Sequence, residues 1–231
     1  MSSASETADK ILDATEQVYA SQGVEGLTLR LIAEHAGVNL ASTNYHFGSK
    51  TTLILEMLHR RLQPLNLASM QLLDQYEFVY GDKIRPIHVV SSIILPIIGT
   101  ISSSLRGALI KASLLRMSSE TAPVLRTAMS QKFRKTCLRV DQLFCESFLP
   151  LSNIEARRRL HIFSNAIPGT LCNSNTLVLL EDLMKDTDTN RQEILLWFGG
   201  TLERTRFGSE EYVLLKSDIA KILSMQHTSG L

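Results

Sequence analysis

GVNLASTNYHFGSK, residues 37–50, is the stretch on which the reading of this chain turns. It opens on a glycine, runs through short polar residues, sets Tyr45, His46 and Phe47 side by side, and closes on Gly48, Ser49 and Lys50. Upstream, Leu29, Ile32, Ala33 and Ala36 recur at helical spacing behind Thr28, an N-cap residue type, and Gly37 is placed to end that helix in a left-handed conformation. Asn39 then caps a short helix from Asn39 to Tyr45, and Ser49 caps a longer one that opens with Lys50. Further back, Ala8, Ile11, Leu12, Thr15, Val18 and Tyr19 predict a helix from Thr7 to Gln22 that stops at Gly23.

Two short helices joined by a turn with glycine, inside a compact apolar-faced trio, make a helix-turn-helix unit. Its second helix is the one that enters a major groove. Asn44 is the residue type that pairs bidentately with adenine, Ser42 can donate or accept, and Arg30 suits guanine. Tyr45 and His46 bring a hydroxyl and a ring N–H to the rim, where phosphates lie. Lys50 and the backbone N–H groups after Ser49 form a helix N-terminus suited to a second phosphate. Thr28, Asn39, Leu40 and Ala41 complete the expected DNA-contacting set. Phe47, with no polar atom, is assigned to the core beneath. On spacing alone a second reading stays open: Tyr45, His46 and Phe47 seal a three-helix core, and Asn39 and Asn44 are ordinary turn and surface residues.

The order of a first helix, then TLRLIAEHAGV, then a short segment ending in YHFGSK, then Leu53, resembles the DNA-binding domain of TetR-family transcriptional regulators over residues 7 to about 58. The resemblance implies an all-α protein: a helix-turn-helix domain over residues 1–52 and a larger helical domain over 53–231 that holds an effector pocket and a dimer interface. It implies a homodimer on double-stranded operator DNA, released by a small effector. AGVNLA followed by NYHFGSK, with Pro64 fourteen residues after Lys50, is similar more narrowly to fatty-acid-responsive repressors, which implies an apolar, acyl-chain effector. No pocket residue is assigned. The dimer face is placed, by the same resemblance, on Leu160, Phe163, Ile167, Leu195, Phe198, Gly199 and Leu202, and packing inside one chain is an equal reading of those seven.

Composition agrees with a globular protein. The chain has 231 residues, 44% of them hydrophobic, enough for a full core in one or two domains. The longest apolar stretch, Val89 to Ile101, is broken by Ser91, Ser92 and Pro96 and falls short of the ~20 residues that span a bilayer, so no membrane is expected. The first residues carry Glu6, Asp9 and Asp13 without an apolar run, which reads as a cytoplasmic protein with no leader. Three scattered cysteines make neither a disulfide framework nor a metal site and are expected as buried thiols. Redox control through Cys137, Cys145 or Cys172 is the alternative mode of regulation. No cofactor, metal or catalytic residue is expected, since no phosphate loop, GxGxxG, GxSxG or HExxH occurs.

Net charge is only +1, yet its distribution is uneven. Residues 1–26 set Lys10 against Glu6, Asp9, Asp13, Glu16 and Glu25, whereas residues 27–61 set Arg30, Lys50, Arg60 and Arg61 against Glu34 and Glu56. A polyanion would prefer the second segment, thin as its charge is.

Beyond Leu53 every strong signal is helical. Pro64 is expected to kink or end the fourth helix, Gly81 and Pro86 to bracket a loop, and Pro96 to break a helix from Ile87 to Ile101. Leu105 to Met117 reads as another helix. Thr121 is read as the cap of one long helix from Pro123 through Phe148, ended by Pro150. Ser152 to Glu155 reads as a capping box for a helix interrupted at Pro168-Gly169 and resumed to about Met184. Asp188 or Thr189 opens a helix through Leu202, in which Gly199 and Gly200 cost ~1 kcal/mol each relative to Ala unless close backbone approach repays it.

Overall fold

The structure is a computed structural model, which describes residues 3–101, 105–119, 123–148, 152–172, 187–203 and 209–229. Among the described residues there are eleven α-helices, one short 3-10 turn and no strand, so the all-α expectation holds. In chain order these are α1 (Ser3–Gly26), α2 (Leu29–Ala36), α3 (Leu40–Phe47), α4 (Lys50–Tyr80), α5 (Pro86–Ile101), α6 (Leu105–Ser119), α7 (Pro123–Lys132), α8 (Arg134–Ser147), α9 (Asn153–Cys172), α10 (Asp188–Glu203) and α11 (Glu210–Ser229). None is long and apolar enough to cross a membrane.

The chain divides into two compact units. One comprises residues Met1–Pro64 and Ser104–Phe133, the other Leu65–Ser103 and Arg134–Leu231. In the first unit Ile11, Val18 and Tyr19 of α1 meet Leu27, Ile32 of α2 and Leu53, Ile54, Met57 and Leu58 of α4 in one core, which Leu125 and Met129 of α7 complete. Phe47 is half-buried against that core, as its lack of a polar atom requires.

The second unit is built around α5. This helix carries no charge and buries Ile87, Val89, Val90, Ile94, Leu95 and Ile98, the pattern of a helix enclosed on most sides. It packs against α10, α11, α8 and α9. At Gly199 a Cβ would lie 2.8 Å from Leu215 Cδ1 of α11 and 3.0 Å from Ile87 Cδ1 of α5. The close approach expected at that glycine is therefore real, and it lies within one chain.

Several boundaries differ from the sequence reading. Gly23 does interrupt α1, at φ 72° and ψ −168°. The prolines 64, 96 and 168, by contrast, lie inside continuous helices. A proline removes one backbone bond from a helix, and packing of the flanking apolar residues outweighs that loss around Pro96, where Ile94, Leu95 and Ile98 are all buried. The single helix expected from Pro123 to Phe148 is two, separated at Phe133. The break falls where the chain passes from one unit to the other: Phe133 stacks on His59 at 5.7 Å between centroids and Lys132 pairs with Glu56 at 2.6 Å, both in the first unit, while Val140 and Phe144 bury in the second. A further helix, α11, was not expected from the sequence. It buries Leu215, Ile219, Ile222 and Leu223 and starts from Ser209, whose Oγ accepts from Tyr212 N at 3.2 Å. The cap at Thr121, the stop at Pro150 and the resumed helix to Met184 lie outside the described residues.

Cysteines also part from expectation. Cys145 is buried, but Cys137 is exposed on α8, because α8 turns only Val140, Leu143, Phe144 and Cys145 inward. The Cys172 side chain lies outside the described set.

Candidate nucleic-acid interface

Three caps and two glycines set the geometry of the site. Thr28 Oγ1 accepts from Leu31 N at 3.1 Å and starts α2. Gly37, at φ 66° and ψ 33°, ends it, and its N–H reaches the carbonyls of Ala33 and Glu34, a left-handed cap that glycine adopts without steric cost. Val38 N closes the same turn on Ala33 O at 3.0 Å. Asn39 Oδ1 accepts from Ser42 N at 2.6 Å and starts α3. Gly48, at φ 69°, ends α3, and Ser49 Oγ accepts from Thr52 N at 3.0 Å to start α4. The turn between α2 and α3 is thereby only three residues long, Gly37 to Asn39.

The side chains of α3 divide cleanly. Thr43 points inward with no exposed area. Leu40, Ala41, Asn44 and Tyr45 are exposed, Tyr45 at 86%. Positions i, i+1, i+4 and i+5 share one face of a helix, so these four form a single outward stripe. Ser42 and His46 are half-buried at its edges, and His46 stands edge-on to Tyr45 at 5.4 Å. An exposed tyrosine ring braced by a neighbouring ring presents its hydroxyl to solvent at little conformational cost.

Around the stripe the expected residues are placed as follows. Thr28 is exposed at the start of α2, its hydroxyl engaged in the cap. Arg30 is exposed and pairs with Glu34 at 3.3 Å, a surface contact worth about 0.3–0.5 kcal/mol and readily exchanged for a phosphate or base. Asn39 is exposed with its Oδ1 spent on the cap. Lys50 is half-buried in the first turn of α4.

Two features were missed. Thr43 was not expected inside, although Thr43 and Phe47, four residues apart, share the inner face of α3. Its Oγ1 has no hydrogen-bond partner. The second is the fate of Arg60 and Arg61, counted above as charge for a polyanion. Arg60 binds Asp9 at 3.2 Å and Asp13 at 2.5 Å, and Arg61 binds Asp13 at 3.2 Å and also Glu16. The charge asymmetry of the two segments is thus largely an ionic seam between α1 and α4. No cluster of three metal-ligating side chains occurs among the described residues.

Of the seven residues read either as a dimer face or as packing inside one chain, six follow the second reading. Leu195, Phe198 and Leu202 have no exposed area in a single chain, and Phe163, Ile167 and Gly199 are buried with them, while Leu160 is half-buried. A side chain already enclosed adds no area to an interface. They pack inward instead: Phe163 of α9 meets Phe198 of α10 at 5.7 Å, and Gly199 meets α11 and α5. Their neighbours Ile162 and Trp197 carry the outer side of the same helix pair, 65% and 56% exposed.

Comparison with known proteins adds the family. Residues 11–57 match the family model described as bacterial regulatory proteins, tetR family. Over 64 residues, 28% of this chain, the sequence is 39% identical to the HTH-type transcriptional regulator SrpR of Pseudomonas putida, of whose length the match spans 30%. Native NalD, the secondary repressor of the MexAB-OprM multidrug efflux pump in Pseudomonas aeruginosa, superposes with a TM-score of 0.58 at 23% identity, over 87% of this chain and 96% of that one. The multidrug binding protein EbrR, complexed with malachite green, gives 0.52 at 20% identity over 85% and 96%. At such identities the two structures speak for the fold alone. The sequence matches fall on the helix-turn-helix itself: it is residues 11–57, not the whole chain, that match the tetR family of bacterial regulatory proteins.

Proposed function

We propose that this protein is a ligand-responsive repressor that binds an inverted-repeat operator as a homodimer. The observation that carries the reading is the α3 stripe of Leu40, Ala41, Asn44 and Tyr45, held between two glycine-ended caps and exposed beside the start of α2. Asn44 and Ser42 face base edges, Leu40 and Ala41 meet thymine methyls, and Tyr45, His46, Thr28, Asn39 and Lys50 hold phosphates, with Arg30 released from Glu34 to reach the duplex. Residues 1–52 carry the reading head, and residues 53–231 carry the effector and dimer roles.

In the dimer, Ile162 and Trp197 take the place of the enclosed residues first assigned to the interface. An exposed tryptophan on α10 and an exposed isoleucine on α9, two helices that meet through Phe198 and Phe163, are residue types of an interface core. The effector is small and apolar, since the central helix of the second unit, α5, carries mainly aliphatic and hydroxyl side chains, with His88 its one aromatic ring; an acyl chain is the form proposed. Regulation by thiol oxidation fits less well. Burial pushes the Cys145 thiol up, away from the reactive thiolate.

The test is to enrich duplexes from a randomised pool with the purified protein, footprint the winner, and weigh the complex by light scattering. Two half-sites one helical turn or a multiple apart, protected by two chains, are expected. A single asymmetric site bound by one chain contradicts the proposal. Titration of the complex with fatty acids of graded length then tests the effector: release at some length supports the acyl form, and no release at any length removes it.

A further inference from the structure

The carbonyl end of α1 is held from far along the chain. Gly23 breaks the regular ladder of α1, and a break of that kind leaves the preceding carbonyls in need of donors. Two of them receive the guanidinium of Arg116 on α6: Nε donates to Ala20 O at 3.0 Å and Nη2 to Ser21 O at 2.6 Å. Arginine's planar fork serves two acceptors at once, and a cation at the carbonyl end of a helix also meets the negative end of its dipole. The contact is embedded in a wider one. α6 lies along α1, and α7, which follows, sets Leu125 and Met129 into the core shared with Val18, Leu27 and Ile32. Past the break the chain reaches buried Leu27 and then Thr28, the cap from which α2 starts.

We propose that Arg116 is a positioning residue for DNA binding. By gripping the carbonyl end of α1 it fixes the corner between α1 and α2, and with it the angle at which Thr28, Arg30 and the α3 stripe meet the duplex. The inference rests on the reading role proposed for α3. It makes the reading unit discontinuous in sequence: α1 to the first half of α4 act together with α6 and α7, and a displacement of α6 is felt at the start of α2 without passing along α4.

The experiment uses the full chain and a duplex enriched from a randomised pool by the wild-type protein, with a scrambled duplex beside it. Arg116→Met keeps much of the side-chain volume and removes both donors. The expected result is a fall of about tenfold or more in affinity for the enriched duplex, a smaller fall on the scrambled one, and unchanged helicity by circular dichroism. Arg116→Lys, with one compact donor group, is expected to recover part of the loss. A folded Arg116→Met protein that keeps its preference for the enriched duplex within about threefold overturns the proposal, because the contact then serves stability alone. If Arg116→Met does not fold, Arg116→Lys decides by the same threefold line. Failure of the wild-type protein to enrich any duplex counts against the DNA-reading role itself and is thereby distinguished from failure of Arg116.

Discussion

Arg61 of α4 donates to the carboxylate of Glu16 on α1, and Glu16 is only 1% exposed. Arg61 is itself mostly buried, at 14%, and shares Asp13 with Arg60. Two arginines that sequence alone offers to DNA are therefore fixed across the first unit, where they lock the helix that follows the reading motif onto the helix that precedes it. Pairs of this kind contribute little net stability when intact and cost much when broken, because the survivor is left charged and out of water.

Arg61→Ala is accordingly expected to destabilise the first unit by about 3–5 kcal/mol. The measurement is urea unfolding followed by circular dichroism. The double substitution Glu16→Leu with Arg61→Met should recover most of the loss, since an apolar pair of similar volume replaces the ionic one. A single-substitution loss below about 1 kcal/mol would mean that the pair is solvent-relaxed and contributes as a surface pair does.

His88 gives the second unit a pH dependence. Its Nδ1 accepts from Arg85 N at 2.9 Å, and its ring stacks on Tyr80 at 4.0 Å and leans on Tyr76 at 5.7 Å. Burial pulls its pKa down to about 4; Asp218 of α11 works against the fall, and Arg85 and Lys221 add to it. The unfolded chain takes up the proton near pH 6.5 and the folded one only near 4. Stability therefore falls as pH drops through that window, by at most about 1.4 kcal/mol per pH unit. Glu203, whose carboxyl burial pushes up, works in the opposite sense. The readout is thus the difference between wild type and His88→Asn in unfolding free energy from pH 7 to 4.5. The wild type should lose more than the variant, and equal slopes would contradict the assignment.

Thr43→Val should be neutral or stabilising. The hydroxyl is buried without a partner, and removing an unsatisfied polar group of that kind returns on the order of 1 kcal/mol. Affinity for the enriched duplex should not change, because Thr43 faces the core. A loss of affinity would show that the inner face of α3 takes part in reading.

The local parts of this account were legible in the sequence. Thr28, Asn39 and Ser49 announce helix starts, and Gly37 and Gly48 announce the ends, because each acts through its own backbone within three or four residues. What was not legible depends on contacts far apart in the chain. Arg116 is an unremarked arginine until α6 meets α1, and Arg60 and Arg61 look like free charge until α1 supplies their carboxylates. Gly199 signals a close approach correctly, but whether the partner is a second copy or Leu215 and Ile87 of the same chain is decided by α11, whose buried leucines and isoleucines recur at helical spacing. Prolines 96 and 168 misled for a related reason, and Pro64 does not end α4: local preference argues for a break, and tertiary packing holds the helix together.

The central claim is that the exposed stripe of α3 reads DNA bases while Lys50 only holds phosphate. Binding isotherms for Asn44→Ala and Lys50→Ala across a salt series, on the enriched and the scrambled duplex, test it most directly. Lys50→Ala should weaken both duplexes alike and reduce the salt slope by about one unit per subunit. Asn44→Ala should cost about 1–3 kcal/mol on the enriched duplex and little on the scrambled one. Equal loss on both duplexes from a folded Asn44→Ala protein, or no loss on either, would contradict the account and leave the rings at 45–47 as the seal of a small helical core.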